Sequence, residues 1–234
     1  MNCSAAVAQK PVVIKVGEGD AQVEYHVHRA FLVHYSAYFR GALNGNFKEA
    51  IEGCVHLEDV EAGVFEVFLE WLYTQKLPRN MAHIQTAEAE IKVVKLYTLA
   101  DRLLVPDLER TLIDVVFSDK PSPLYESIFF AFTHLPVGNP LLQLLVDKHC
   151  ARWEPELDEE KETELRRDLP SDFLLGVMDR FSKVVKELRD NGKELKLDIC
   201  DYHDHKSDVE RQECKEKQDP REQNSEGDDS EESS

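Results

Sequence analysis

Hydrophobic and polar residues alternate near the N-terminus, and the period then lengthens to that of a helix. Residues 12–17 are rich in β-branched side chains and end at a glycine, which predicts a strand. Residues 23–28 alternate apolar and polar side chains, which predicts a second strand and a hairpin through the turn at 17–20. A third short strand is predicted at residues 55–57. We therefore expect a small three-stranded sheet.

Helical spacing dominates the rest of the chain. Ser36 precedes an apolar face that holds Phe39 and Leu43, so we predict that it caps a helix. A strong apolar stripe over residues 65–73 predicts a helix that begins near Asp59. Further helices are predicted over residues 87–104, 106–116, 125–132, 139–153 and from 169 onward. The fold class is therefore α+β, with an all-helical second half.

Composition divides the chain into four parts. Pro121 and Pro123 mark a boundary, and the apolar content fades from about Asn191. Residues 201–234 carry thirteen acidic and five basic side chains and bury too little apolar surface to offset the entropy of ordering. We expect a flexible N-terminus at 1–11, a first domain at 12–116, a helical extension at 121–190 and an acidic, disordered tail at 191–234.

The net charge of −18 limits the partners. Acidic surfaces repel phosphate backbones and anionic membranes, so we expect neither nucleic acid nor membrane as a direct partner. No apolar run approaches the ~20 residues of a membrane helix. The five cysteines form no C-x-x-C pair, which favours a reducing compartment. We expect a cytoplasmic or nuclear protein, or one that occupies both compartments.

No sequence motif supports catalysis. The chain lacks a G-x-S-x-G elbow, a P-loop, an H-E-x-x-H helix and a glycine-rich dinucleotide turn. Cys54 and Cys150 each have a nearby histidine (His56 and His149), but sequence neighbours do not form a dyad without suitable geometry. We expect both cysteines to pack as small apolar residues. No catalytic residue and no cofactor are predicted.

Two histidine-containing groups raise the question of a metal. His26 and His28 lie two residues apart, with His34 nearby, on what is predicted to be a strand and the segment after it. The second group is Cys200, His203, His205 and Cys214, whose donors suit a soft cation. Its spacing is not that of a standard zinc finger, and the segment is polar. We therefore expect a solvated linker there and no metal site.

The first half of the chain resembles the BTB/POZ domain family. The run 25–32 with Ser36 and Phe39 is similar to the family's signature, and 47–49 stand where the family has Phe-x-Glu. Further matches follow in order at 55–60, 65–74 and 96–105. The helices beyond resemble the short extension of fungal-type members. The residues that match the family's structural motif are His28, Arg29, Ser36, Phe39, Asp59, Tyr73, Ala100 and Asp101.

The resemblance implies a BTB/POZ fold and protein–protein interaction rather than catalysis. Two roles stay open: an oligomerising scaffold or recruitment adaptor, as homodimer or hetero-oligomer, and a substrate adaptor of a cullin-type ubiquitin ligase. Phe47 and Glu49 are the candidate partner-binding residues. In the alternative interpretation, Phe47 covers the edge of the core and Glu49 is simply solvated. A small metal-binding or enzymatic protein is the third hypothesis. An apolar stripe at 64, 67 and 71 marks either an interface or a helix buried on two sides.

Overall fold

The computed structural model describes residues 10–45, 47–119, 121–158, 160–191 and 197–216. A three-stranded sheet lies near the N-terminus, with strand order β2 (23–27), β1 (12–16) and β3 (54–57). The central strand pairs antiparallel with β2 and parallel with β3. The strands are β1 (Val12–Val16), β2 (Val23–Val27) and β3 (Cys54–Leu57). Alternate residues of β1 are buried, as the period of two requires.

Helices cover this sheet and complete the first domain. The α+β class with a small sheet and interleaved helices is confirmed. Leu104 and Val105 form the turn between the two helices at 87–103 and 106–118, the first of which is the longest helix of this half. The helices are α1 (Arg29–Tyr35), α2 (Ala37–Asn44), α3 (Lys48–Glu52), α4 (Ala62–Thr74), α5 (Arg79–Ala82), α6 (Ala87–Leu103) and α7 (Pro106–Ser118).

Helix α4 is buried on two sides. The stripe of Phe65, Phe68 and Leu72 is fully buried, as its spacing predicts. The second stripe, Val64, Val67 and Trp71, is also buried. This second stripe therefore packs inside the domain and is not an exposed interface.

The extension packs onto the first domain through a continuous core. Buried leucines of α9 belong to the same apolar cluster as β1, α4 and α6. Pro106 and Pro140 each stand in the first turn of their helix, where the missing N–H costs nothing. The helices of this part are α8 (Tyr125–His134), α9 (Pro140–Arg152), α10 (Glu160–Leu165) and α11 (Ser171–Asn191).

The predicted disordered tail needs correction at residues 197–216. A 3-10 turn (Ile199–Asp201) and helix α12 (Asp208–Glu216) form there. Ile199, Cys200 and Tyr202 are buried, and the Tyr202 hydroxyl donates to Asp147 at 2.7 Å. These buried side chains pack the polar segment against the helices of the folded body. The rest of the expected tail, 192–196 and 217–234, and the N-terminal residues 1–9 lie outside the described residues.

Within the described ranges, no helix combines the length and the apolar character that crossing a bilayer requires.

Candidate interaction surfaces

An apolar surface projects from the short helix α3. Phe47 occupies the N-cap position, and its carbonyl accepts from the N–H groups of Ala50 and Ile51 at 3.1 and 3.3 Å. Phe47 is 62% exposed and Ile51, one turn further on, is 80% exposed. The four-residue spacing places both side chains on one side of the helix. We call Phe47 and Ile51 the α3 surface.

Two glycines fix the shape of the α3 surface. A Cβ at Gly45 would stand 2.8 Å from a ring carbon of Phe47, so the absence of a side chain lets that ring lie against the backbone. Gly53 ends the helix with φ of 65°, a left-handed conformation that glycine adopts at no steric cost. The Phe47 ring therefore lies close to the Gly45 backbone while remaining largely in solvent.

The charges around the α3 surface are mixed. Lys48 and Glu52 form an exposed ion pair at 3.9 Å, which contributes little to stability. Glu49 is half-buried, and its carbonyl accepts from the Gly53 N–H at 2.9 Å. Exposed aromatic side chains are enriched at the cores of protein–protein interfaces, so Phe47 is the candidate anchor of this surface. Ile51 carries no motif signal, and sequence reasoning missed it.

The predicted motif residues His28 and Tyr73 contact one another. The Tyr73 hydroxyl accepts from the His28 backbone N–H at 3.1 Å and lies 2.9 Å from His28 Nδ1. The ring of Phe31 packs against Tyr73 with centroids 4.9 Å apart. His28 lies beyond the end of β2, so it does not share a strand face with His26. Its contacts fasten the start of α1 to the end of α4.

Ser36 performs the predicted capping role and a second one. Its hydroxyl accepts from the Phe39 N–H at 3.0 Å and donates to the Leu103 carbonyl. Both Ser36 and Phe39 are fully buried. The backbone reinforces this contact, since Ala37 N–H donates to the Leu104 carbonyl at 3.1 Å. The start of α2 is thereby joined to the end of α6.

Arg29 and Asp59 hold surface segments in place. The Arg29 guanidinium donates to the Leu43 carbonyl at 3.0 Å and to the Asn44 side chain, at the end of α2. Asp59 lies in the turn before α4, not at the helix start, and forms an ion pair with Arg102. The Arg102 hydrogen bond holds the pKa of the Asp59 carboxyl below its usual range. Both residues thus contact other segments of the first domain.

Ala100 and Asp101 stand where the first domain meets the extension. Ala100 is fully buried, and its carbonyl accepts from the Val105 N–H at 2.9 Å. Asp101 Oδ1 accepts from Asn139 Nδ2 at 2.9 Å, while Asn139 Oδ1 caps α9 by accepting from the Leu141 N–H. One asparagine therefore serves both the helix cap and the domain contact.

Helix α11 carries two apolar faces rather than one. Phe173 is fully buried, and Val177 packs beside it against the extension core. Arg180, on this inner side, lies 2.8 Å from the buried carboxylate of Asp147. The face next to it, about 100° round the helix, is exposed, with Met178 at 67%, and we call it the α11 stripe. Its members are Leu174, Met178, Phe181 and Val185.

Of the two cysteines considered for catalysis, Cys54 contacts its neighbouring histidine and Cys150 contacts a backbone carbonyl. Cys150 Sγ contacts the Val177 carbonyl at 3.9 Å, and burial raises the pKa of its thiol to about 11, so the thiolate is disfavoured. His149 faces away and stacks on Trp153 at 5.1 Å. Cys54 Sγ lies 3.6 Å from His56 Nε2. Neither cysteine borders a deep cleft within the described part of the chain.

A narrow cleft of about 120 Å³ separates the first domain from α8. Its floor is apolar, with Val64, Leu99 and Phe130, and its rim carries the ion pairs Asp59–Arg102 and Glu61–Lys95. The cleft is too small for most organic ligands.

Comparison with known proteins finds a family resemblance in the first half of the chain. Residues 9–116 match the family model for the BTB/POZ domain. Kelch-like protein 9 of Mus musculus is 35% identical over 72 residues, which is 30% of this chain and 12% of that protein. TD and POZ domain-containing protein 4 of Mus musculus is 28% identical over 85 residues, 36% of this chain and 21% of that protein. The matches thus span about a fifth or less of these relatives.

Proposed function

Residues 9–116 form a BTB/POZ domain, a protein–protein interaction module, and we propose that the chain is a non-catalytic recruitment adaptor. Its α3 surface would take one protein partner, and its helical extension would present a second surface. The observation that carries this proposal is the exposure of Phe47 at the motif position expected for partner binding. The whole chain would act by bringing proteins together.

The geometry of the α3 surface supports a groove-inserting contact. Phe47 and Ile51 project from one side of a short helix, and Gly53 ends that helix in a left-handed conformation. Neither side chain is needed to fill the core, because both lie mostly in water. Exposed aromatic side chains are enriched at the centres of protein–protein interfaces, where they fill apolar pockets of the partner.

A cullin N-terminal domain is the partner we propose for this surface. The segment Phe47-Lys48-Glu49 resembles the hydrophobic-x-Glu element that cullin-binding BTB proteins insert into the cullin. In this role Phe47 would enter an apolar pocket, and Glu49 would meet a basic or N–H group at its rim. The net charge of −18 predicts that a basic partner surface is favoured at low salt.

Titration calorimetry with a purified cullin N-terminal domain tests this role. We expect Phe47→Asp to weaken binding by about 30-fold or more, the loss of one hot spot. Val137→Asp is the matched control, because Val137 is 91% exposed on the loop before α9 and far from α3 in sequence. If wild-type protein and both variants bind equally, or none binds, the cullin role is wrong.

We infer a second role, self-association, from the α11 stripe. Leu174, Met178, Phe181 and Val185 follow the 4-3-4 spacing of a coiled-coil seam. A second copy of this chain presents the same seam, so two α11 helices can pack symmetrically. The inner face of α11 is already held by the extension core, which leaves the stripe free within the described residues.

Light scattering on the purified chain tests self-association. We expect a dimer that becomes monomeric in Phe181→Glu, because the charge would be buried without a partner. Phe47→Asp is the control and should leave the mass unchanged, since α3 lies outside the proposed seam. A monomeric wild-type chain at high micromolar concentration would contradict this role.

A further inference from the structure

Four soft-metal donors converge in the C-terminal segment. The 3-10 turn supplies Cys200, the following loop supplies His203 and His205, and α12 supplies Cys214. One donor atom each of Cys200, His205 and Cys214 lies within 4.8 Å of the other two. His203 Nδ1 stands 3.3 Å from Cys214 Sγ. The spacing of these residues along the chain is not that of a standard zinc finger, yet their donor atoms lie close together in space.

The histidine nitrogens at this cluster are buried and unmatched. Both ring nitrogens of His205 are shielded from solvent and have no hydrogen-bond partner among the described residues. The side chain of His203 is only 2% exposed. A buried polar atom without a partner costs about 1–3 kcal/mol, so native proteins seldom leave two on one ring. A metal ion is a partner that would satisfy these atoms.

The donor set and spacing suit Zn²⁺. Two sulfurs and two imidazole nitrogens are the ligands of a tetrahedral structural zinc site. With Zn–S near 2.3 Å and Zn–N near 2.0–2.1 Å, tetrahedral donors lie roughly 3.3–3.8 Å apart. The 3.3 Å between His203 Nδ1 and Cys214 Sγ falls in that range. The donors of Cys200, His205 and Cys214, which all lie within 4.8 Å of one another, need to close by about 1 Å at most.

A carboxylate stands behind His203, as is usual for zinc-bound histidine. Asp114 Oδ1, on α7, lies 3.0 Å from Nε2, the nitrogen opposite the one that faces Cys214. The Asp114 oxygen does not lie in line with the ring N–H of His203, so the carboxylate acts on the ring by its charge more than by a directed hydrogen bond. Such a carboxylate orients the ring and raises the basicity of the ligating nitrogen.

We propose that Cys200, His203, His205 and Cys214 bind one Zn²⁺ per chain. The site is structural, because four protein ligands leave no open position for a substrate. It fastens the 3-10 turn and α12 to α7, where Asp114 and Arg110 contact this segment. Composition predicted a solvated linker at this segment. With zinc bound, the segment would instead be attached to the folded body.

Metal analysis of the full chain is the direct test. The protein is purified under reducing conditions, dialysed against metal-free buffer and measured by mass spectrometry of its metals. We expect one zinc per chain, and replacement by Co²⁺ should give the visible bands of a tetrahedral site together with a thiolate-to-cobalt charge-transfer band. A chain that holds no zinc and gives no such bands on Co²⁺ titration would overturn the proposal.

Substitutions separate the proposed ligands from other cysteines. His205→Asn and Cys214→Ser should abolish stoichiometric zinc, while Cys54→Ser should retain it, because Cys54 has only His56 beside it. Since Cys200 is buried and its substitution risks misfolding, hydrogen exchange on wild-type protein provides a second measure. Chelation should raise exchange at 197–216 and leave α4 unchanged. A Cys200–Cys214 disulfide that is insensitive to chelator is the result that rejects the metal.

Discussion

The amide of Asn139 donates a 2.9 Å hydrogen bond to the carboxylate of Asp101, across the boundary between the BTB/POZ domain and the helical extension. The same asparagine caps α9 through its side-chain oxygen. Asn139 is 6% exposed, so water cannot readily replace either bond. The two parts also share one apolar cluster, which includes buried residues of α6 and α9. They should therefore unfold together.

Removing the Asn139 side chain should destabilise both parts at once. We expect Asn139→Ala to lower the free energy of unfolding by about 2 kcal/mol, since it deletes a helix cap and leaves Asp101 without its donor. Urea unfolding followed by circular dichroism measures the change. Gln143→Ala, at an exposed position of α9, is the control and should change stability by less than about 0.5 kcal/mol. Two separate transitions in the wild-type protein would contradict a joint core.

The Tyr73 hydroxyl should contribute measurably to the BTB/POZ domain. Tyr73→Phe removes the acceptor of the His28 N–H and the contact with His28 Nδ1 while keeping the ring against Phe31. We expect a loss of about 1 kcal/mol in the free energy of unfolding, because the hydroxyl is half in solvent. Tyr38→Phe is the matched control. Equal stability of the two variants would show that the hydroxyl is dispensable.

Acid should weaken the extension through His149. Burial lowers the pKa of its imidazole to about 4, against about 6.5 for an unfolded chain. The unfolded state then binds more protons between these values, so stability is lost as the pH falls from about 6.5 to 4, by about 3 kcal/mol at most.

Urea titrations at pH 7.5 and pH 5 test the His149 prediction. His149→Gln cannot gain a proton, so its stability should depend less on pH than that of the wild-type protein. His134→Gln is the control, because His134 is exposed. The prediction fails if the wild-type protein and His149→Gln show the same pH dependence.

Local pattern predicted the elements whose signals are local. Ser36 followed by an apolar helical face specified the cap that forms, and the alternation in residues 23–28 specified β2. The chemistry of Asn139-Pro140 predicted the start of α9. In each case the physical cause lies within a few residues of the signal, so sequence reasoning needed no tertiary information.

Long-range contacts explain where sequence reasoning failed. The polar composition after Asn191 predicted disorder, yet Tyr202 reaches the buried carboxylate of Asp147, 55 residues earlier. Helix α11 has apolar residues over more than half its circumference, and only packing decides that Phe173 faces inward and Met178 outward. Ile51 lies in no motif, and its exposure follows from the placement of α3.

Size-exclusion chromatography with light scattering, on the chain mixed with a purified cullin N-terminal domain, tests the recruitment role most directly. We predict one complex that contains both proteins, which disappears with Phe47→Asp and persists with Val137→Asp. Loss of the complex with Phe47→Asp alone would assign the contact to the α3 surface. Two separate peaks at the masses of the free proteins, at concentrations well above micromolar, would contradict the account.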